Sequence, residues 1–339
     1  MKIHENKAVA EYVHLWGNSA SLALLDPACE IFSCSDVEGV IGYRFELKSA
    51  IVFGDPVCAL QNVKPLTQAF HAFCKEQRKS IVYISVSQAF IGKALDSGCR
   101  VAIGFGDEII LDPQVDLKAG IGRKASALRN KCNQSMRDGV TVHEYIDYDA
   151  EIECGIETVG VAWIQGRKGA QIYLWQINLF ADRLHKRWFY ARYKGHIIGV
   201  VMLNRLDCRN GWALNILMVE PQAPNTTSEF LMLSTLDILR EEKCNYLTIG
   251  TTPATELGYI QGIGKCSTWF ARNVYSLAKK VFNLGDRQRY WKKFHPRTEP
   301  LYLAFSNARI SVSDIFAVMR ALNVGSRPQK KNRSVIIKS

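Results

Sequence analysis

With 339 residues, 47% of them hydrophobic and 22% charged, the chain has the make-up of a globular protein of two ordinary domains, which excludes extensive disorder except at the ends. The net charge of +11 calls for an anionic partner. No apolar run approaches the ~20 residues of a membrane-spanning helix, and residues 1–11 mix both signs of charge without an apolar core, so neither a membrane span nor a signal peptide is read and a cytoplasmic location is expected.

In chain order, β-rich runs at 40–47 and 50–53 are joined by a tight Lys48-Ser49 turn. Leu66, Phe70, Phe73 and Cys74 repeat at helical spacing within 65–77. A buried strand at 80–86, a short helix at 88–97 and a strand at 101–111 follow. Next comes a segment of pure positive charge: Lys118, Arg123, Lys124, Arg129, Lys131 and Arg137, with no acid between the first and last. On a helix from Arg123, residues Ala125, Leu128, Cys132 and Met136 form an apolar stripe, the cations lie opposite, and Arg129 sits at the border. Such a helix packs on a core and presents a surface for phosphates, and a border arginine offers them a bidentate fork.

Beyond it the stretch 140–148 continues the bridge between the two halves and leads to a predicted helix at 151–164. A hairpin at 188–193 and 196–203 turns at Lys194-Gly195. A strand at 213–219, a turn at 220–225, a helix at 227–242 and a buried strand at 245–249 complete the set. The passage from helix through a charged exit into a strand occurs twice, at 73–84 and 239–249, as expected of two similar units. A loop with Pro253, Gly258, Gly262 and Gly264 leads to a helix at 268–282 and a break at Gly285. Then Arg287, Arg289, Lys292 and Lys293 interleave with Tyr290 and Trp291, which suits a lipid interface or stacking on bases. A strand at 301–305 and a helix at 311–322, capped by Ser311 or Ser313, precede a basic tail expected to be disordered.

The ten cysteines show no C-x-x-C spacing and the seven histidines no H-x-x-x-H pair, so reduced thiols and no metal site are expected. Hairpin, strand, turn, helix, strand is the order of the N-acetyltransferase-like (GNAT) fold, whose turn normally carries glycines that grip a pyrophosphate. Here that turn, 222–227, has no glycine, and Pro224 lacks an amide donor, so coenzyme A is poorly served. A coenzyme A-dependent N-acyltransferase is one alternative reading, and a catalytically divergent binder of RNA or membranes another.

A series of short motifs resembles the phosphatidylglycerol lysyltransferase catalytic-domain family. They are Gly54-Asp55-Pro56-Val57, the stretch from Gly104 to Asp112, Leu128-Arg129 with Arg137-Asp138-Gly139, Trp163, Gly195 to Gly199, Pro221-Gln222-Ala223-Pro224, Gly250 with Pro253, and Lys293-Phe294-His295-Pro296 with Tyr302-Leu303. The resemblance implies an α/β (α+β) architecture of two tandem GNAT-like acyltransferase domains, mixed sheets flanked by helices: 1–139, ending in the basic helix, and 140–322, followed by the tail 323–339. It implies a tunnel between the domains and transfer of an amino acid, lysine in the family's name, from aminoacyl-tRNA as co-substrate, with no other cofactor, to a head-group hydroxyl of an anionic phospholipid such as phosphatidylglycerol met peripherally at the membrane. Lys293 would face a lipid phosphate, and Arg129, Lys131, Arg137 and Trp163 would bind substrate. The family's acid and arginine before the P-x-A-P turn fall here on Asn215 and Met218. That makes Asn215 a catalytic candidate without charge, with Glu229, Glu256 and Asp207 as acids that could substitute, Glu229 being carried forward as the second catalytic candidate.

Overall fold

A computed structural model describes residues 2–166, 179–180, 183–254, 256–264, 268–269, 271–273, 275–276 and 289–322. The tail at 323–339, much of the helix expected at 268–282, Gly285, Lys279, Lys280 and Arg287 lie outside them.

The chain opens with helix α1 (Lys2–Trp16), a 3-10 turn over Ala20–Leu25 and strand β1 (Glu30–Cys34). None of these was predicted. The hairpin β2 (Val37–Glu46) and β3 (Ser49–Phe53) is followed by α2 (Val63–Glu76), β4 (Ser80–Ser87), α3 (Gln88–Asp96) and β5 (Val101–Leu111). The basic helix α4 (Arg123–Arg137) leads to β6 (Thr141–Tyr145), α5 (Ala150–Gly166), β7 (Lys186–Tyr193), β8 (His196–Leu206) and β9 (Gly211–Val219). Then come α6 (Thr227–Glu241), β10 (Leu247–Pro253), β11 (Ile260–Gln261), β12 (Arg297–Phe305) and α7 (Val312–Ala321).

The two expected units are built alike. In each, a hairpin is followed by a helix and then by a strand parallel to the hairpin's last strand: β3 with β4, and β9 with β10. The two helices even end the same way. Arg78 and Lys243 take positive φ, +54° and +59°, and the next residue donates back to the helix, Lys79 N to Cys74 O and Cys244 N to Leu239 O, each at 2.9 Å. This left-handed exit satisfies carbonyls that the helix end leaves open.

The units are joined by one sheet, ordered β1-β2-β3-β4-β12-β5-β10-β9-β8-β7-β6. Late strand β12 inserts between β4 and β5, antiparallel to both, and β10 pairs with β5. Cores lie on both faces. Alternate residues of β3 divide between them, Ala50 and Val52 packing with Phe70, Tyr83 and Phe90 under α2 and α3, and Ile51 and Phe53 with Val9, Val13 and Ala317, while a further core gathers Leu231, Leu236, Leu128 and Trp291 around α6 and α4. The capping assignment resolves to Ser311, whose hydroxyl accepts from Asp314 N while the Asp314 carboxylate accepts from Ser311 N. Ser311→Ala should therefore cost about 1 kcal/mol in urea unfolding, the worth of one N-cap.

The basic helix differs from expectation in its inward face. Leu128 and Cys132 are buried as foreseen, but Met136 is exposed and Ser135 takes the third inward position, its hydroxyl 2.7 Å from that of Thr226. Packing against the start of α6 favours a small hydroxyl there over a long thioether.

Candidate functional site

Strands β9 and β10 begin side by side. Gly211 allows this, because a Cβ there would lie 2.4 Å from the Tyr246 carbonyl. Their parallel pairing covers two positions, Leu247 with Trp212 and Thr248 with Ala213. Past these the strands part: β9 runs on beside β8 to Val219 and β10 follows β5 to Pro253. The backbone groups of β9 that face β10 lose their strand partner in the gap, and Gly250, at φ +80°, turns β10 at its edge.

The gap opens a cavity of about 500 Å³. Asn215, Leu217 and Val219 line it from β9, and Ile249, Gly250 and Thr251 from β10. Trp163 of α5, Ser228 of α6, and Tyr290 and Trp291 close another side. Across from them stand Ser19, Ala20, Leu22, Ala23 and Asp26 in and around the early 3-10 turn, with Arg44, Phe53 and Ala321. The cavity is thus walled by residues from both ends of the chain.

Asn215 sits at a β-bulge. The register between β8 and β9 jumps from Met202 with Ile216 to Leu203 with Leu214, leaving Asn215 without a partner across the ladder and pushing it outward. Its amide donates to Asn204 Oδ1 at 3.0 Å. Asn204 is fully buried, and its own Nδ2 has no hydrogen-bond partner among the described residues. Met218, at the position where the resemblance places an arginine, is buried among Ile156, Val159 and Val200.

Three of the other candidates meet beside the cavity. Glu229, on the first turn of α6, has a side chain only 4% exposed, and its Oε1 accepts from both Lys131 of α4 and Lys293, the latter at 2.5 Å. Ser228 donates to Oε2 at 2.9 Å. Burial pushes the Glu229 carboxyl up, but hydrogen bonds from Lys131 and Lys293 outweigh it and hold it below the ordinary range. Glu229 therefore stays ionised and occupied, which suits holding two ammonium groups in place and ill suits a general base. Two lysines and one carboxylate leave a net charge of +1. The Lys293 ammonium also lies 4.1 Å from the centre of the Tyr290 ring, and burial raises the Tyr290 hydroxyl, so the phenol stays protonated.

Arg129 is placed elsewhere. Its Nη1 donates to the carbonyls of Lys118 and Gly120, the latter at 3.0 Å, and so ties down the loop before α4. Arg137 is exposed at the last turn of α4, its Nε 3.3 Å from Asn133 O. Neither lines the cavity. Of the alternative acids, Asp207 pairs with Arg205 at 2.8 Å and Glu256 is exposed. No group of three His, Cys, Asp or Glu among the described residues could hold a metal ion. The residues that sequence reasoning missed are Asp26 and Arg44, the two charged groups among the described lining residues, paired at 3.4 Å. No local motif marks either of them.

Three comparisons with known proteins bear on this arrangement. Over residues 12–305 the sequence matches the family model described as phosphatidylglycerol lysyltransferase, C-terminal. A phosphatidylglycerol lysyltransferase of Staphylococcus epidermidis is 20% identical over 315 residues, covering 90% of this chain and 36% of that protein, so the chain spans about a third of that relative's length. Among solved structures, the C-terminal domain of an Agrobacterium fabrum protein described as a lysylphosphatidylglycerol synthetase superposes with a TM-score of 0.76 at 19% identity, over 97% of this chain and 99% of that one. L-PGS from Bacillus licheniformis gives 0.71 at 17%, over 94% and 96%. The fold is thus shared with both, and with the family model matching most of its length, the chain belongs to the phosphatidylglycerol lysyltransferase C-terminal domain family.

Proposed function

We propose that this protein moves an aminoacyl group from aminoacyl-tRNA to a hydroxyl on the head group of an anionic phospholipid such as phosphatidylglycerol. The observation that carries the reading is the parted β9–β10 gap: a chamber reached by residues of both units, with a cation pair fixed on a buried carboxylate beside it. In the step proposed, the lipid hydroxyl oxygen bonds to the ester carbonyl carbon. The resulting oxyanion collapses, the bond to the terminal ribose oxygen breaks, and that oxygen takes the proton the attacking hydroxyl gave up.

The roles follow from placement. Lys131 and Lys293 attract phosphodiester oxygens, and their shared carboxylate keeps both ammonium groups aimed without neutralising them fully. The exposed Asn215 amide and the unpaired edge of β9 offer neutral donors where charge develops on the ester oxygen. Coenzyme A fits less well, because the turn before α6 has no glycine and two of its amides already donate within it, Ala223 N to Glu220 O and Thr227 N to Pro224 O.

Membrane contact is proposed through the loop that Arg129 holds. Ile121 is fully exposed between Gly120 and Gly122, and exposed Arg123 and Lys124 follow it. An apolar tip ringed by cations suits an anionic bilayer surface, and no helix among the described residues is long and apolar enough to cross one.

The direct test combines purified protein, tRNA charged with a radiolabelled amino acid, and phosphatidylglycerol vesicles. Label should pass into the lipid phase and be released by mild base, as an ester is. If a mixed set of charged tRNAs with a total lipid extract gave no labelled lipid, the proposal would fail.

A further inference from the structure

The charges inside the cavity bear on which amino acid it takes. Among the described residues that line it two carry charge, Asp26 and Arg44, one of each sign. Asp26 follows the early 3-10 turn, and its Oδ1 is fixed by the Ala28 amide at 2.8 Å. Arg44, on β2, is held by the Ala321 carbonyl at 3.0 Å and lies 5.6 Å from the Phe53 ring centre. Between the two side chains there is one ion-pair contact, Arg44 Nη2 to Asp26 Oδ2 at 3.4 Å, well short of a two-pronged fork.

Both partners are therefore anchored separately, and the link between them is loose. The side chains are 12% and 19% exposed, so neither is sealed off. A carboxylate has room for several donors, and Asp26 is given one short and one long bond here. It can accept a compact ammonium at proper distance while Arg44 keeps its hold on Ala321.

Among the described residues that line the cavity, Asp26 is the one acid. Glu229, the acid beside the cavity, already serves Lys131, Lys293 and Ser228. Asp26 and Arg44 sum to zero, and the Lys131–Glu229–Lys293 group to +1. An aminoacyl ester with a neutral side chain brings one ammonium, which Asp26 meets. A lysyl ester brings two, and the second would enter a partly desolvated space with no second acid among the described lining residues to receive it, beside a net positive group. At about 500 Å³ the cavity does not reject a lysyl chain by size, so the discrimination rests on charge.

We propose that Asp26 receives the α-ammonium of the aminoacyl donor and that the donor's side chain is uncharged. The inference rests on the transferase reading for its biological sense, but binding measures it without transfer. The probes are alaninamide, N-acetylalaninamide and lysinamide, followed by ligand-observed saturation-transfer NMR at neutral pH. Alaninamide should bind, and both the acetylated form, which lacks the ammonium, and lysinamide should bind at least tenfold more weakly. Asp26→Asn should remove alaninamide binding, Asp26→Glu should restore part of it, and Arg44→Gln, which frees the carboxylate, should tighten it.

Lysinamide binding as tightly as alaninamide, no alaninamide binding, or binding untouched by Asp26→Asn would each overturn the assignment. Asp26→Asn could fail by unfolding, but the wild-type comparison of the three probes and the Arg44→Gln variant still decide the matter. A parallel transfer assay with alanyl-tRNA and lysyl-tRNA separates the two ideas. If neither these nor a mixed set of charged tRNAs is used while alaninamide binds, the transferase reading falls and the ammonium site stands. Equal use of both overturns the charge selection alone.

Discussion

Glu229→Ala should destabilise the protein by about 2–3 kcal/mol and abolish transfer. Removing one partner from a fully buried ion pair costs roughly 3–5 kcal/mol, and the loss here is smaller because the orphaned lysines are about a third exposed and water screens part of their repulsion. Their side chains are 35% and 31% exposed, against 4% for the carboxylate. The pH behaviour provides a signature. With the Glu229 carboxyl held below its ordinary range, its contribution is fully present above the unfolded-state pKa of ~4.3 and disappears as pH falls through the lower folded-state value. The stability gap between wild type and Glu229→Ala should therefore be widest near neutrality and close in acid, as read from urea unfolding across pH. A gap that widened in acid would mean that Glu229 is not the ionised anchor described. Glu229→Gln separates charge from packing: it raises the local net charge from +1 to +2, so binding to anionic vesicles should tighten even as turnover drops.

Lys293→Ala should act in the opposite sense on binding and leave folding largely intact. Lys131 still neutralises Glu229, while the local net charge falls from +1 to zero. A charge-assisted hydrogen bond is worth about 1.5–3 kcal/mol, so kcat/KM for the lipid acceptor should fall roughly 10- to 100-fold. The loss should shrink at high salt, where the wild type is also screened. Lys293→Arg, which preserves the charge, should recover part of it. A melting temperature far below that of the wild type would instead assign Lys293 to structure.

Much of the element order was legible in the sequence because it depends on short-range signals. The helical spacing of Leu66, Phe70 and Cys74 gave α2, and the apolar runs at 80–86 and 101–111 gave β4 and β5 within one residue. The Lys194-Gly195 turn placed the β7–β8 hairpin. The hairpin at β2–β3 turns one residue earlier than expected, at Leu47-Lys48, with Leu47 at φ +54°. Residues 2–34 were legible only in part. In α1 the buried Val9, Ala10, Val13 and His14 do keep helical spacing, whereas Ser21 and Leu24 beyond it are too few for a period to stand out.

What the sequence determined by itself was the repeated unit, the basic segment at 118–137 and the family motifs, since each depends on residues within one turn or strand of one another. Tertiary structure alone decided how they combine. Insertion of β12 between β4 and β5 is a pairing across some two hundred residues, which no local pattern encodes. The same applies to the site. Lys131, Glu229 and Lys293 were each legible as charged residues, but their convergence on one carboxylate oxygen depends on α4 packing against α6. Arg129, which looked free for phosphate, was claimed by two backbone carbonyls of its own loop. Asp26 and Arg44 acquired significance only because parting β9 from β10 leaves a chamber that the N-terminal turn closes, and a charge matters there in proportion to how little other charge shares the space.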